Sequence, residues 1–116
     1  MLVKDIMTCN VYTVKPDTPM REVVSAMTLY RVSGLPVLEG EKLVGFIAEK
    51  DVLHKMFPSL EDSFNIGQSI DFEEMENEYA SILGMEVSKL MTTGVIGVAA
   101  DMPILKATSV MVRNRF

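Results

Sequence analysis

The chain has little that metal or disulfide chemistry could use. Cys9 is the single cysteine and His54 the single histidine among 116 residues. One cysteine closes no disulfide within a chain, which fits a reducing compartment. With no second histidine and no cysteine at ligand spacing, a transition-metal site is not expected. No apolar run approaches the length of a bilayer span, and the opening Met1-Leu2-Val3-Lys4-Asp5 lacks a signal-peptide pattern. The expectation is a soluble cytoplasmic protein. Lysine and arginine are missing from Glu61 to Glu86, where eight acidic residues stand. That stretch reads as a solvated face, and with a formal net charge of −5 it speaks against a nucleic-acid partner. No twelve-residue calcium loop, nucleophile-plus-base arrangement or phosphate-cradling glycine loop is visible, so no enzymatic activity is expected.

What is present is a repetition. Val3–Val32 returns without a gap as Val87–Phe116, displaced by 84 residues, with 10 of 30 positions identical. Met7-Thr8 answers Met91-Thr92, and Asp17-x-Pro19 answers Asp101-x-Pro103. Ser25, Met27 and Arg31 answer Ser109, Met111 and Arg115. So long a period excludes a solenoid and indicates a duplicated small module. At 48% hydrophobic residues the chain can build a core.

The local pattern of the first copy predicts strand, helix, hairpin, helix. Val11–Val14 is a short β-prone run closed by Lys15-Pro16. Asp17-Thr18-Pro19 reads as a helix start with a polar cap, and Met20, Val23, Val24, Met27 and Tyr30 follow at helical spacing up to a stop at Gly34. Leu35–Leu38 and Lys42–Ile47 form strands about the turn Glu39-Gly40-Glu41. Glu49–Phe57 is a second helix with acidic residues in its first turn. After loop signals over Pro58–Ser69, Asp71–Leu83 reads as an inserted amphipathic helix with Phe72, Met75, Tyr79 and Ile82 on one stripe. That stripe is either core or a dimer surface. The ten methionines read as adaptable core filler. The organisation expected is a first repeat over 1–57, an acidic linker with an inserted helix over 58–86, and the start of a second repeat over 87–116.

These residues resemble the tandem cystathionine β-synthase (CBS) domain pair, or Bateman module. The resemblance is carried by Asp5-Ile6-Met7-Thr8, Val14-x-Pro16-Asp17-x-Pro19, Leu35-Pro36-Val37 and Leu43-Val44-Gly45-Phe46-Ile47 leading to Asp51. Leu90-Met91-Thr92 and Asp101-x-Pro103 carry it in the second copy. It implies an α+β fold: a duplicated βαββα unit, each a small three-stranded sheet with two helices. Here the second unit breaks off after its first strand and helix. The resemblance further implies a regulatory, non-catalytic homodimer whose clefts take AMP, ADP, ATP or S-adenosylmethionine.

The family's ribose motif reads here Gly45-Phe46-Ile47-Ala48-Glu49-Lys50-Asp51. A carboxylate only accepts, so Asp51 can take both protons of a ribose diol. Gly45 and the apolar pair would admit the base to a strand edge. The hydroxyl that the motif normally carries is absent at Ala48. Its loss should weaken binding by about two- to twelvefold without removing the aspartate anchor. Asp51 has a second reading, as a helix-start carboxylate serving backbone N–H groups. The resemblance adds Pro36 to the cleft lining and puts Arg113 or Arg115 opposite a phosphate; Lys50 and Lys55 read as solvated alternatives. Thr13, like Thr8 and Thr92, is a turn or strand hydroxyl that could face ligand.

The second copy stops before its hairpin, which should leave Val95, Val98, Leu105 and Met111 short of cover. A longer native chain, elements exchanged with a partner, and poor order are the competing explanations, the first favoured. The function expected is adenosine-nucleotide sensing. The alternative is a structural dimerisation module with dead clefts.

Overall fold

The computed structural model describes residues 1–56 and 72–116. The expected loop over Pro58–Ser69, with Phe57 and Asp71, lies outside them. The elements in chain order are α1 (Val3–Ile6), α2 (Met20–Tyr30), β1 (Gly34–Glu39), β2 (Lys42–Ala48), α3 (Glu49–Met56), α4 (Phe72–Leu83), a 3-10 turn (Val87–Lys89) and α5 (Ile104–Arg113). By contacts the chain forms two units, one of Tyr12–Val95 and one of Met1–Val11 with Ile96–Phe116.

In the larger unit, β1 and β2 form the antiparallel hairpin the alternation predicts, with Leu35 opposite Ile47, Pro36 opposite Phe46 and Val37 opposite Gly45. Gly40 adopts φ 63 in the two-residue turn, where a side chain would be strained. Only single residues extend the sheet: Val14 pairs in parallel with Val37, and Thr92 pairs antiparallel with Phe46. The expected strand Val11–Val14 is thus reduced to one rung. The ring of Pro36 faces that edge, where Leu38 N–H donates to the Val14 carbonyl at 2.8 Å. A proline one rung earlier has no N–H to continue the ladder.

Alternation puts Leu35, Val37 and Ile47 on the buried face, and α2 covers it with Met20, Val23, Ala26 and Met27. Val52 from α3, Ile82 from α4 and Val87 complete the same core. The stripe on α4 grades from buried Ile82, 1% exposed, through half-buried Tyr79 and Met75 to Phe72, 69% exposed. It serves as core at its C-terminal end. Arg21 Nε donates at 3.4 Å to the Leu83 carbonyl at that end, where a cation suits both the dipole and an unsatisfied oxygen. No polar or charged side chain is buried among the described residues.

Both ends of α2 differ from expectation. The helix begins at Met20 after Pro19, with no side-chain cap. The Thr18 hydroxyl instead accepts from Lys15 N–H at 2.9 Å, closing its own turn. The free N–H of Met20 donates to the Met85 carbonyl at 2.8 Å, so backbone from 65 positions along does the capping. At the other end the stop is Arg31, left-handed at φ 54, and not Gly34. Val32 N–H donates to the Met27 carbonyl at 3.0 Å and closes the helix without a glycine. Gly34 has another task, since a Cβ there would lie 2.5 Å from the Phe46 ring.

In the smaller unit the same joinery recurs, displaced by 84 residues. Ile104 N–H donates to Met1 O (3.0 Å), Val3 N–H to Met102 O (2.9 Å) and Lys4 N–H to Ala100 O (2.8 Å). In the larger unit these are Met20 to Met85 O, Val87 to Thr18 O and Ser88 to Pro16 O. Arg115, past α5, takes φ 58 as Arg31 takes φ 54, and Phe116 N–H returns to Met111 O as Val32 returns to Met27 O. Each copy's opening segment therefore caps the helix start of the other copy. The α5 stripe is less covered than that of α2: Met111 is 53% exposed where its counterpart Met27 is 4%. Val98 and Leu105 are exposed as expected, whereas Val95 is half-buried.

Candidate functional site

The hairpin that buries one face presents the other. Pro36 lies opposite Phe46 across β1–β2, and Phe46 opposite Thr92 across the free edge of β2. Directly paired residues project to the same side of a sheet. Val14 and Val37 share the core side, which leaves Pro36 on the other. The register thus lines up Pro36, Phe46 and Thr92 in one row across the outer face, with Ala48 two residues along β2 from Phe46. Phe46 keeps 38% of its surface exposed above Gly34, so the row carries an accessible aromatic ring.

The edge of β2 is closed by the second copy. Phe46 N–H donates to Thr92 O at 2.9 Å and Thr92 N–H returns to Phe46 O at 2.8 Å. Gly45 permits this approach: a Cβ would meet Met91 Sδ at 2.5 Å and the Thr92 carbonyl at 3.1 Å. Its missing side chain is thereby used for packing between the copies.

Asp51 stands at the end of this row, half-buried in the first turn of α3. Its Oδ2 accepts from Ala48 N–H at 2.8 Å, and its Oδ1 accepts from the Thr92 hydroxyl at 3.4 Å. The first bond is one half of a capping box, in which an acidic residue in the first turn reaches back to the N-terminal backbone N–H. A serine or threonine at position 48 would supply the reciprocal half, which alanine cannot. The helix-start geometry expected of Asp51 is therefore present. Two carboxylate oxygens offer about four acceptor positions, and two are used here. Capacity is left for a diol.

Of the six residues anticipated for ligand, Asp51, Ala48, Phe46 and Pro36 fall around this face, and Thr13 lies in the same larger unit beside the Val14 rung. Arg115 belongs to the smaller unit and is exposed beyond α5. Lys50 and Lys55 are exposed on α3. Thr92, which reads in the sequence as a turn or strand hydroxyl that could face ligand, is the residue the fold adds beside Asp51. Its signal was its place in the echoed Met-Thr pair, but the partner across the sheet is not written in that pair.

Residues 3–57 match the CBS domain. Over 127 aligned positions the chain is 30% identical to protein MJ1426 of Methanocaldococcus jannaschii, spanning 98% of this chain and 75% of that one. It is 43% identical over 47 residues to inosine-5'-monophosphate dehydrogenase of Aquifex aeolicus, covering 40% of this chain and 10% of that enzyme. The crystal structure of Arabidopsis thaliana CBSX2 in complex with AMP superposes with a TM-score of 0.72 at 25% identity, covering 99% of this chain and 78% of that one. The duplicated helix start, the hairpin register and these relatives converge: this chain belongs to the CBS-domain family.

Proposed function

We propose that the chain is a regulatory module that senses an adenosine-containing nucleotide, with Asp51 as the ribose anchor. The observation that carries the reading is the state of that carboxylate. It is held at one oxygen by Ala48 N–H and touched at the other by Thr92, with acceptor capacity left over. Beside it, Phe46 and Pro36 offer an apolar surface that suits a purine ring. The likeness to CBSX2, solved with AMP, supports the ligand class. The short stretch shared with the dehydrogenase covers a tenth of that enzyme, which fits a regulatory rather than a catalytic part.

Mechanism follows from the joinery. A ligand seated on Asp51 and the Thr92 rung contacts segments from both copies, so it stabilises the arrangement in which they are paired. Binding then shifts the population toward that arrangement by its differential affinity and no more. The net negative charge favours AMP or S-adenosylmethionine over ATP, because a polyanion needs several nearby cations. The working assembly we propose is a homodimer.

Titration calorimetry with AMP, ATP and S-adenosylmethionine on the wild-type chain and on Asp51→Ala tests the reading. Loss of a charge-assisted bond should weaken binding by about 10- to 150-fold. Ala48, which lacks the motif hydroxyl, is the feature that favours the scaffold alternative. An Asp51→Ala variant that binds every nucleotide as the wild type does, or a wild type that binds none, would favour that scaffold.

A further inference from the structure

We propose that the Thr92 hydroxyl, by donating to Asp51 Oδ1, makes Thr92 the residue that positions Asp51 for a ribose diol. The inference rests on the adenosine reading above. A single hydrogen bond from Ala48 N–H fixes Oδ2 but leaves the carboxylate plane free to turn about that contact. A second donor on Oδ1 fixes the plane, and the Thr92 hydroxyl is that donor at 3.4 Å. It arrives from 41 residues along the chain, on backbone that is itself held. Thr92 exchanges two hydrogen bonds with Phe46, and its neighbour Met91 is seated over Gly45. A hydroxyl at position 48 would accept from a first-turn N–H of α3 and leave Oδ1 without a donor. The second copy supplies that donor across the sheet, and the aspartate's alignment becomes a property of the paired copies.

At 3.4 Å the contact is longer than the roughly 2.5–3.0 Å usual for a hydroxyl donor, so its effect belongs at the lower end of the range. Calorimetry with AMP and 2'-deoxy-AMP on the full chain, as wild type, Thr92→Ser and Thr92→Val, reads it. Thr92→Val should weaken AMP about two- to fivefold and narrow the AMP to 2'-deoxy-AMP ratio. Thr92→Ser should keep both. Equal weakening of both nucleotides by Thr92→Val, or no change, overturns the proposal. If wild type binds neither nucleotide, the adenosine reading fails by itself. The positioning contact is then judged by a melting-temperature cycle of Asp51→Ala and Thr92→Val: non-additive shifts uphold it, additive shifts overturn it.

Discussion

Met91 occupies the space a side chain at Gly45 would need, with its Sδ 2.5 Å from where a Cβ would stand. A methionine can bend away from such a clash, but the Thr92 carbonyl, at 3.1 Å, cannot retreat without giving up the bond it accepts from Phe46. Gly45→Ala should therefore lower stability by about 1–3 kcal/mol, as overpacking does, and loosen the Thr92 rung. Urea unfolding measures the first effect and amide exchange at Phe46 and Thr92 the second. A loss below about 0.5 kcal/mol with unchanged exchange would mean that Met91 simply swings aside.

Ala48 leaves the capping box of α3 half made. Ala48→Ser adds the hydroxyl that accepts from the first turn, and should raise stability by about 0.5–2 kcal/mol. Thermal unfolding without ligand is the appropriate measurement. No gain would indicate that the backbone at position 48 does not present the side chain to the first-turn N–H groups.

Arg31 closes α2 in the left-handed region, which disfavours a residue with a Cβ by roughly 1–2 kcal/mol. Arg31→Gly should stabilise the chain by about 1 kcal/mol, and Arg31→Ala should not. Equal behaviour of the two variants in denaturant titrations would argue that the arginine side chain, rather than its backbone, matters there.

The inserted helix is part of the core at one end only. Ile82→Ala should cost about 2–5 kcal/mol, whereas Phe72→Ala should stay within about 0.5 kcal/mol. The contrast follows from 1% against 69% exposure. Comparable losses at both positions would show that Phe72 is covered in solution, as a dimer surface would require; analytical ultracentrifugation of the two variants would then locate the partner.

Much was legible in the residues because it is decided locally. The hairpin follows from alternation around Gly40, and α2 from apolar spacing. Asp51 was singled out by its motif, and its helix-start role by its position in the first turn. What stayed hidden needed a partner distant in the chain. Thr18 looked like a cap, yet Met85 does that work, because a backbone carbonyl delivered from afar leaves the threonine free to close its own turn. Gly34 looked like a helix stop, yet its small size serves the Phe46 ring, and Arg31 bears the left-handed turn.

Repetition alone specified two like helices and two like openings, since like residues at like spacing favour like local structure. Folding in three dimensions decided which opening meets which helix, and how deeply each is covered. Met27 and Met111 are the same residue at the same register of equivalent helices, and only the first is buried. Burial depends on the surface an element finds beneath it, and α2 finds a β-hairpin. The unit that holds α5 contains none.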